Sequence, residues 1–447
     1  MSLTEGPIWK AMLLFALPVF LGNVFQQLYN AFDSWCVGEY ISDTALAAVS
    51  SSGSLIFLMV SFFNGVAMGA GVVIARYFGA KDFDPMRKAI HTAIAFGLVT
   101  GVILTVLGIT FTPTILRWMG TPAEVLPQSI EYFRWYFSGA VFTVMYNIFV
   151  GILHAVGDSR HPLYYLIFSA SVNVVLDMVL VTTVWKSVGA AALATTVSQG
   201  ISAFLCFFHL IRIDAPYRVK LREVRFDKQS LFEIVRYGLP SGVQNSVIAL
   251  ANVFVQSNIN SFGKSAMAGC GSYSKLEGFA FLPVTCFTQA LSTFVGQNLG
   301  ARKHDRVKKG VGFGIACSCI MAEIVGALLY TFAPQLISLF TDTQESIDFG
   351  TQHMRTICLF FGLLAFSHCI AGIMRGAGKA TVPMFTMLAC WCLFRVTYIS
   401  VALKFVNELT TVSWAYPITW GLSSTIFLIY FLKADWIHNF DRTNAKI

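Results

Sequence analysis

The chain has 447 residues, of which 56% are hydrophobic and only 12% are charged, and its mean hydropathy is +0.66. This composition excludes a soluble multidomain protein, because such proteins carry about twice the share of charged residues. The net charge of +8 does not indicate nucleic-acid binding, because the basic residues are explained by their distribution among the loops of a membrane protein.

Twelve apolar segments are long enough to cross a bilayer, which takes about 20 residues of helix. They lack the alternation of polar and apolar residues that a membrane β-barrel would show, so we predict an all-α integral membrane protein. The predicted helices lie near residues 13–37, 45–78, 89–110, 130–155, 163–184, 189–211, 234–259, 268–299, 310–332, 351–374, 384–403 and 414–432.

Lysine and arginine collect in the loops that follow even-numbered helices, and the loop at 212–228 alone holds six of them. Cytoplasmic loops carry this excess of positive charge. The pattern predicts a multi-pass protein of the plasma (inner) membrane with both termini in the cytoplasm. The first apolar segment continues directly into a polar helix, so we expect it to be retained rather than cleaved as a secretion signal.

The two halves of the chain repeat each other at an offset close to 221 residues. The best match aligns residues 151–157 and Pro162 with residues 372–378 and Pro383. Because each repeat holds six helices, both must enter the membrane in the same sense, which predicts two pseudo-symmetric six-helix lobes with parallel repeats. We expect an N-terminal lobe at 1–211, a basic cytoplasmic linker at 212–230 and a C-terminal lobe at 231–447.

Helix 1 is unusually polar for a membrane helix. Its polar side chains share one face and are Asn23, Gln26, Gln27, Asn30, Asp33 and Ser34. A carboxylate at mid-membrane costs at least about 2.5–3.5 kcal/mol, so Asp33 must face water or a partner group.

Helices 5 and 6 each carry a polar stripe at helical spacing. The stripes are Ser169, Asn173 and Asp177 on helix 5, and Thr195, Gln199 and Ser202 on helix 6. If these faces meet helix 1, their oxygens could bind a hard cation such as Na⁺. They would equally suit H⁺, because one of two neighbouring buried acids stays protonated near neutral pH until water reaches it. Interhelical hydrogen bonding is the alternative role for the uncharged members.

The second half lacks these acids. The repeat offset places Val255 or Gln256 opposite Asp33, and it places Phe394, Tyr398 and Tyr416 opposite Asn173, Asp177 and Thr195. We therefore expect coupling in the first lobe only and aromatic residues in the equivalent region of the second. Glu277 on helix 8 could attract a cationic substrate or form a structural ion pair.

Four motifs resemble the multidrug and toxic compound extrusion (MATE) family over nearly the whole chain. They are LYNAFD at 28–33, RYFGA at 76–80 with VGQNLGA at 295–301, LEGFAFLP at 276–283 and MRGAGK at 374–379. The resemblance implies a twelve-helix antiporter that exchanges H⁺ or Na⁺ for organic cations or other toxic amphiphiles. It also implies that Asp33, Asn173, Asp177 and Thr195 form a first-lobe cation site, whereas the acid that other members carry on helix 7 is missing here.

Three other functions are weighed against this one. A lipid-linked oligosaccharide flippase of the same superfamily should have a cavity rich in arginine and lysine, and a membrane transferase should have clustered histidines or paired acids near a membrane face. A channel is disfavoured, because two pseudo-symmetric lobes suit alternating access better than a continuous pore. We expect no enzyme, and an ATP-driven pump is disfavoured because the chain has no Walker phosphate loop.

The remaining expectations concern ligands and partners. We expect a monomer with no cofactor and no metal beyond a possible Na⁺, in contact with lipid and small amphipathic drugs or toxins but not with nucleic acid. Isolated histidines such as His154, His209 and His368 are expected to be packing residues rather than metal ligands. The predicted substrate-cavity residues are Gln26, Tyr29, Asn30, Gln256, Glu277 and Tyr398.

Overall fold

The computed structural model describes residues 2–118 and 121–437, and these residues form helices and connecting loops without a β-strand. Twelve long helical segments follow one another in the order that the sequence predicts. In the first half they are α1 (Ile8–Tyr40), α2 (Asp43–Ala80), α3 (Phe83–Trp118), α4 (Leu126–Ser138 and Ala140–Ala155), α5 (Arg160–Val179, continued by a π-helix at Leu180–Val184) and α6 (Val188–Arg212).

The second half repeats this arrangement. Its helices are α7 (Lys228–Asn260), α8 (Lys264–Ala280 and Leu282–Gly300), α9 (His304–Thr331), α10 (Gln344–Cys358 and Phe361–Gly376), α11 (Thr381–Met387, a π-helix at Leu388–Phe394, and Arg395–Ala402) and α12 (Leu409–Lys433). A 3₁₀-helix at Leu221–Glu223 and a short helix at Ala333–Ser338 lie in connections.

Nine helices of the described chain are long and apolar enough to cross a membrane, and two bent pairs raise the number to eleven. The pairs are the halves of α4, which bend by 46°, and of α10, which bend by 53°. The twelfth segment, α7, is more polar because it carries five amides between residues 244 and 258. The prediction of an all-α membrane fold is confirmed, although several helices extend beyond their predicted ends, as α3 does by several residues on each side.

The chain divides into two compact units by its contacts. One unit contains Leu17–Gly242, and the other contains Leu3–Ala16 with Val243–Ile447. The predicted lobe limits at 211 and 231 stay a prediction, because the contacts group residues 212–242 with the first unit and the N-terminal segment with the second.

The N-terminal segment is joined to the second unit by hydrogen bonds, of which those of Leu3 to Gln297 and Asn298 are buried. Leu3 is 1% exposed, its N–H donates to Gln297 Oε1 at 3.0 Å, and its carbonyl accepts from Asn298 Nδ2 at 3.3 Å. The guanidinium of Arg306 donates to the carbonyls of Leu3, Glu5 and Gly6 at 2.7–3.2 Å. Gln297 and Asn298, which belong to a motif of the resemblance, therefore fix this segment.

Residues 213–227 are ordered against α3 in the first unit. The Lys220 N–H donates to His91 Nε2 at 3.0 Å, and the Asp227 N–H donates to Thr92 Oγ1 at 3.0 Å. These bonds satisfy main-chain groups that lie outside any helix. The predicted linker therefore has a defined path along the first unit.

In the first unit α2 and the start of α7 approach each other through glycines spaced four apart. A Cβ built on Gly65 would lie 2.2 Å from the Gly242 nitrogen, and one on Gly69 would lie 2.3 Å from the Gly238 nitrogen. Only residues without a side chain allow two helix backbones to come this close. We call this contact of Gly65 and Gly69 with Gly242 and Gly238 the glycine crossing. The same two helices are also joined by an ion pair between Arg76 and Glu233.

Candidate functional site

On the polar face of α1 Asp33 is buried, whereas Asn30 on the same face is exposed, and apolar residues on the other face are exposed. Asp33 is 7% exposed, whereas Leu28 is 51% and Trp35 is 50% exposed. An exposed apolar face suits lipid, while a buried carboxylate needs polar neighbours. Those neighbours come from α5 and α6.

Asp33 and Thr195 of the predicted cation site contact each other in the interior of the first unit, and Asn173 and Asp177 lie one turn apart on α5. Thr195 Oγ1 donates to Asp33 Oδ2 at 3.4 Å and also to the Ala191 carbonyl at 3.2 Å. Asn173 and Asp177 are fully buried. The carboxyl groups of Asp33 and Asp177 are neighbours in this interior.

Most polar atoms of this cluster have no partner among the described residues. Unpaired and buried are Asp33 Oδ1, both carboxyl oxygens of Asp177, and the side-chain oxygen and nitrogen of Asn173. Each buried polar group without a partner costs about 1–3 kcal/mol. An unsatisfied set composed mainly of oxygens fits a site that takes up a proton or a hard cation.

Further hydrogen bonds hold the three helices together around the cluster. Gln199 Nε2 on α6 donates to Tyr29 Oη on α1 at 3.1 Å. Ser202 on α6 bonds to Ser169 on α5 through their hydroxyls, and both side chains are buried. The stripes predicted on helices 5 and 6 therefore do face each other, with Ser169 and Ser202 serving in packing.

A cavity of about 410 Å³ lies next to the cluster within the first unit. Asp33 and Thr195 line it, together with three of the predicted cavity residues, Gln26, Tyr29 and Asn30. Asn173 and Asp177 are not among its lining residues. The cluster therefore has one side that faces the cavity and one side that is buried between α1, α5 and α6.

Sequence reasoning missed the contribution of α4 to this cavity. The α4 residues that line it are Tyr132, Tyr136, Thr143, Tyr146, Asn147, Val150 and His154. Most of them are spaced by four or seven residues, which places them on one face of a helix. That spacing indicated a shared helix face. Three tyrosines within an apolar segment are, however, also typical of membrane helices that line no cavity.

The predicted cavity residues of the second half belong to the second unit and are not among the residues that line this cavity. Gln256 pairs with Asn260 at 2.8 Å, Tyr398 stacks near Phe394, and Glu277 accepts a hydrogen bond from Tyr273 Oη at 3.1 Å. Their role in substrate binding stays a prediction.

Arg395 is the largest fully buried side chain of the second unit. It donates to Thr419 Oγ1 at 2.9 Å and lies over the ring of Tyr416 at 4.7 Å. Within the described residues it has no carboxylate within 4 Å, so hydroxyl and aromatic neighbours stabilise its charge. Tyr416, which the repeat offset places opposite Thr195 in the sequence, therefore contacts a buried cation.

The chain matches the family model MatE over residues 18–179 and again over residues 240–399, so the internal repeat coincides with two copies of that model. It is 30% identical over 400 residues to the probable multidrug resistance protein YoeA of Bacillus subtilis, covering 87% of this chain and 86% of the relative. It is 27% identical to the probable multidrug resistance protein YpnP of the same organism, covering 87% of each.

A solved structure has the same fold. It is an outward-facing conformation of a multidrug resistance MATE family transporter, which superposes with a TM-score of 0.91 over 98% of both chains at 23% identity. The twelve helices, the duplicated family match and these relatives together confirm the resemblance. The chain is a multi-pass membrane transporter and belongs to the MatE family.

Proposed function

We propose that this protein is a secondary active efflux antiporter that exchanges H⁺ or Na⁺ for amphipathic, cationic organic compounds by alternating access. The observation that carries the proposal is the buried cluster of Asp33, Asn173, Asp177 and Thr195. Most of its oxygens lack partners among the described residues, and it borders a polar cavity. The names of the relatives as multidrug resistance proteins support drug-like substrates. On this proposal the protein catalyses no chemical reaction and holds no cofactor.

The cluster can hold either coupling ion. With H⁺, one proton is shared between Asp33 and Asp177 and satisfies both carboxyls. With Na⁺, carboxyl oxygens of both aspartates, the Asn173 carbonyl and the Thr195 hydroxyl are oxygen ligands of the kind hard cations take. In both states one positive charge replaces the repulsion between two buried carboxylates.

The position of the cavity explains why the coupling ion and a cationic substrate exclude each other. Asp33 and Thr195 belong both to the cluster and to the cavity wall, so a cationic substrate and the coupling ion are attracted by the same carboxylate. Charges a few ångströms apart in a low-dielectric interior interact by several kcal/mol. Entry of the ion therefore releases the substrate, and the tyrosines of the wall bind its apolar part.

We further propose that the protein lies in the plasma (inner) membrane with both termini in the cytoplasm and acts as a monomer. The excess of arginine and lysine in the loops after even-numbered helices supports this orientation. Arginine and lysine are missing from the lining of the cavity within the described residues. A flippase that binds phosphate groups would need such residues. The efflux function is therefore favoured over the flippase.

The test is transport in proteoliposomes with an imposed pH gradient and, separately, an imposed Na⁺ gradient. We expect efflux of a cationic dye to follow one of the gradients in the wild type and to lose that dependence in Asp33→Asn and Asp177→Asn. Asp342→Asn removes an exposed carboxylate elsewhere and should transport as the wild type does. Gradient-driven transport that survives in the double variant would overturn the coupling site, and transport of lipid-linked sugars without either gradient would favour the flippase.

A further inference from the structure

A second cluster of ligand-type side chains lies in the first unit, away from the four coupling residues. Asp158 in the turn between α4 and α5, His161 in the first turn of α5 and His209 in the last turn of α6 place one candidate ligand atom each within 4.8 Å of the others. His161 Nδ1 lies 2.6 Å and His209 Nε2 lies 3.9 Å from Asp158 Oδ2.

The turn that carries Asp158 is fixed by its backbone. Gly157 has a φ of +83°, a conformation that residues with a side chain rarely adopt, and the Asp158 N–H donates to the Leu153 carbonyl at 2.8 Å. Asp158 Oδ1 then accepts from the N–H groups of Arg160 and His161, both at 3.2 Å, and so caps α5. Because Oδ1 is engaged by the backbone, Oδ2 is held toward the two imidazoles.

The imidazoles are arranged in a way that hydrogen bonding alone does not explain. Their ring centroids lie 4.1 Å apart, and the Nε2 atom of His209 is buried without a hydrogen-bond partner among the described residues. The side chains of Asp158 and His209 are 14% and 15% exposed, and that of His161 is 44% exposed. An imidazole nitrogen that is buried without a partner beside a carboxylate and a second imidazole is free to act as a metal ligand.

The fold does not require these residues. In the second half of the repeat the equivalent positions are Lys379, Val382 and Tyr430, none of which forms such a set. The first half therefore carries two histidines and an aspartate where the same architecture is built without any of them. A packing role common to both halves does not account for the cluster.

We infer that Asp158, His161 and His209 form a binding site for a divalent transition-metal ion, Zn²⁺ by ligand type. Two imidazole nitrogens and one carboxylate oxygen are a ligand set that Zn²⁺ takes, with bonds of about 2.0–2.2 Å and a fourth position open to water. Tetrahedral ligand atoms at these bond lengths lie about 3.3–3.6 Å apart. The hydrogen bond of 2.6 Å between His161 Nδ1 and Asp158 Oδ2 must therefore open, and His209 Nε2 must approach Oδ2 from 3.9 Å, each by about 1 Å or less. Ser159 and Pro162 of the same turn line the first-unit cavity, so the bound ion holds the turn of the cavity wall to α6.

The test is a titration of the full-length protein in detergent, with its purification tag removed, by Co²⁺ as a spectroscopic substitute for Zn²⁺. We expect one tetrahedral Co²⁺ ion per chain, displaced by Zn²⁺, and a higher unfolding temperature in its presence. His161→Gln and His209→Gln should each weaken Co²⁺ binding by about tenfold or more. Asp158→Asn keeps an oxygen for the α5 cap but removes the charge, so it should weaken binding without unfolding the chain.

His304→Gln serves as the matched control, because it removes a partly buried imidazole from the second unit. It should leave Co²⁺ binding unchanged. A wild-type protein that gives no tetrahedral Co²⁺ spectrum, or variants at 158, 161 and 209 that bind as tightly as the wild type, would overturn the site. Equal loss in the His304 variant would show that binding is not specific to this cluster and would also overturn it.

Discussion

Arg76 and Glu233 form an ion pair of 2.7 Å whose two side chains are 8% and 5% exposed. Tyr77 Oη donates to both carboxylate oxygens of Glu233 at 3.1 Å, and Arg76 Nη1 contacts Tyr237 Oη at 3.4 Å. The pair joins the end of α2 to the beginning of α7, one turn or more beyond the glycine crossing. Opposite charges therefore hold the two helices together close to the point where their backbones also touch.

Removal of one member of this pair leaves the other charge buried without its counter-charge. We expect Glu233→Ala to destabilise the protein by about 3–5 kcal/mol. The measurement is the unfolding midpoint of the purified protein in detergent. Glu223→Ala is the matched control, because Glu223 forms an exposed ion pair of 3.0 Å with Lys220, and it should shift the midpoint little. Equal shifts of the unfolding midpoint in Glu233→Ala and Glu223→Ala would show that the burial of the ion pair does not determine its contribution to stability.

Thr195 and Thr196 are adjacent buried threonines with different partners. Thr195 bonds to Asp33, whereas Thr196 donates to the Trp135 carbonyl at 3.2 Å. We expect Thr195→Val to weaken the apparent affinity for the coupling ion about fivefold to tenfold, the effect of losing roughly 1–1.4 kcal/mol. Thr196→Val should leave that affinity unchanged. Ion titrations of gradient-driven transport measure both, and an unaltered Thr195 variant would remove this residue from the site.

The glycine crossing should tolerate no added methyl group. We expect Gly65→Ala and Gly69→Ala to lower the unfolding midpoint strongly, because each new Cβ would lie less than 2.5 Å from backbone atoms of α7 and overpacking costs about 1–3 kcal/mol or more. Gly71→Ala lies on the same helix, and its nearest neighbour would be the Gly151 carbonyl at 3.5 Å. That variant should be nearly as stable as the wild type, and a similar loss in all three would contradict the geometric reason.

Arg306 should decide whether the N-terminal segment stays bound to the second unit. We expect Arg306→Ala to increase amide hydrogen exchange at residues 3–6 about tenfold or more, because it removes several charge-assisted hydrogen bonds to their carbonyls. Lys308→Ala removes an exposed charge from the same helix and should leave exchange unchanged. Protection that persists without Arg306 would show that Gln297 and Asn298 suffice.

The sequence allowed prediction of the helices and of the four-residue cluster for a clear physical reason. A carboxylate such as Asp33 is costly in a membrane, so its position and the spacing of Asn173 and Asp177 carry strong information. Helix ends were less predictable, because helices such as α3 extend past the apolar segment into polar residues that also suit water.

Features that depend on contacts between distant residues could not be read in advance. The bond of Glu233 to Arg76 joins residues 157 apart, and Asp158, His161 and His209 come together only because α5 packs on α6. The tyrosines of α4 were visible but ambiguous, because aromatic residues are common in membrane helices whether they face lipid or a cavity.

The π-helical turn at Leu180–Val184 begins three residues after Asp177. Such a turn holds one residue more than an α-helical turn, and it can shift along a helix when main-chain hydrogen bonds exchange partners. A shift past Asp177 would rotate its carboxyl by about 100° around the axis of α5 while both ends of the helix stay in place. The acid could then change its surroundings by a local winding of the backbone, without displacement of the helix as a whole.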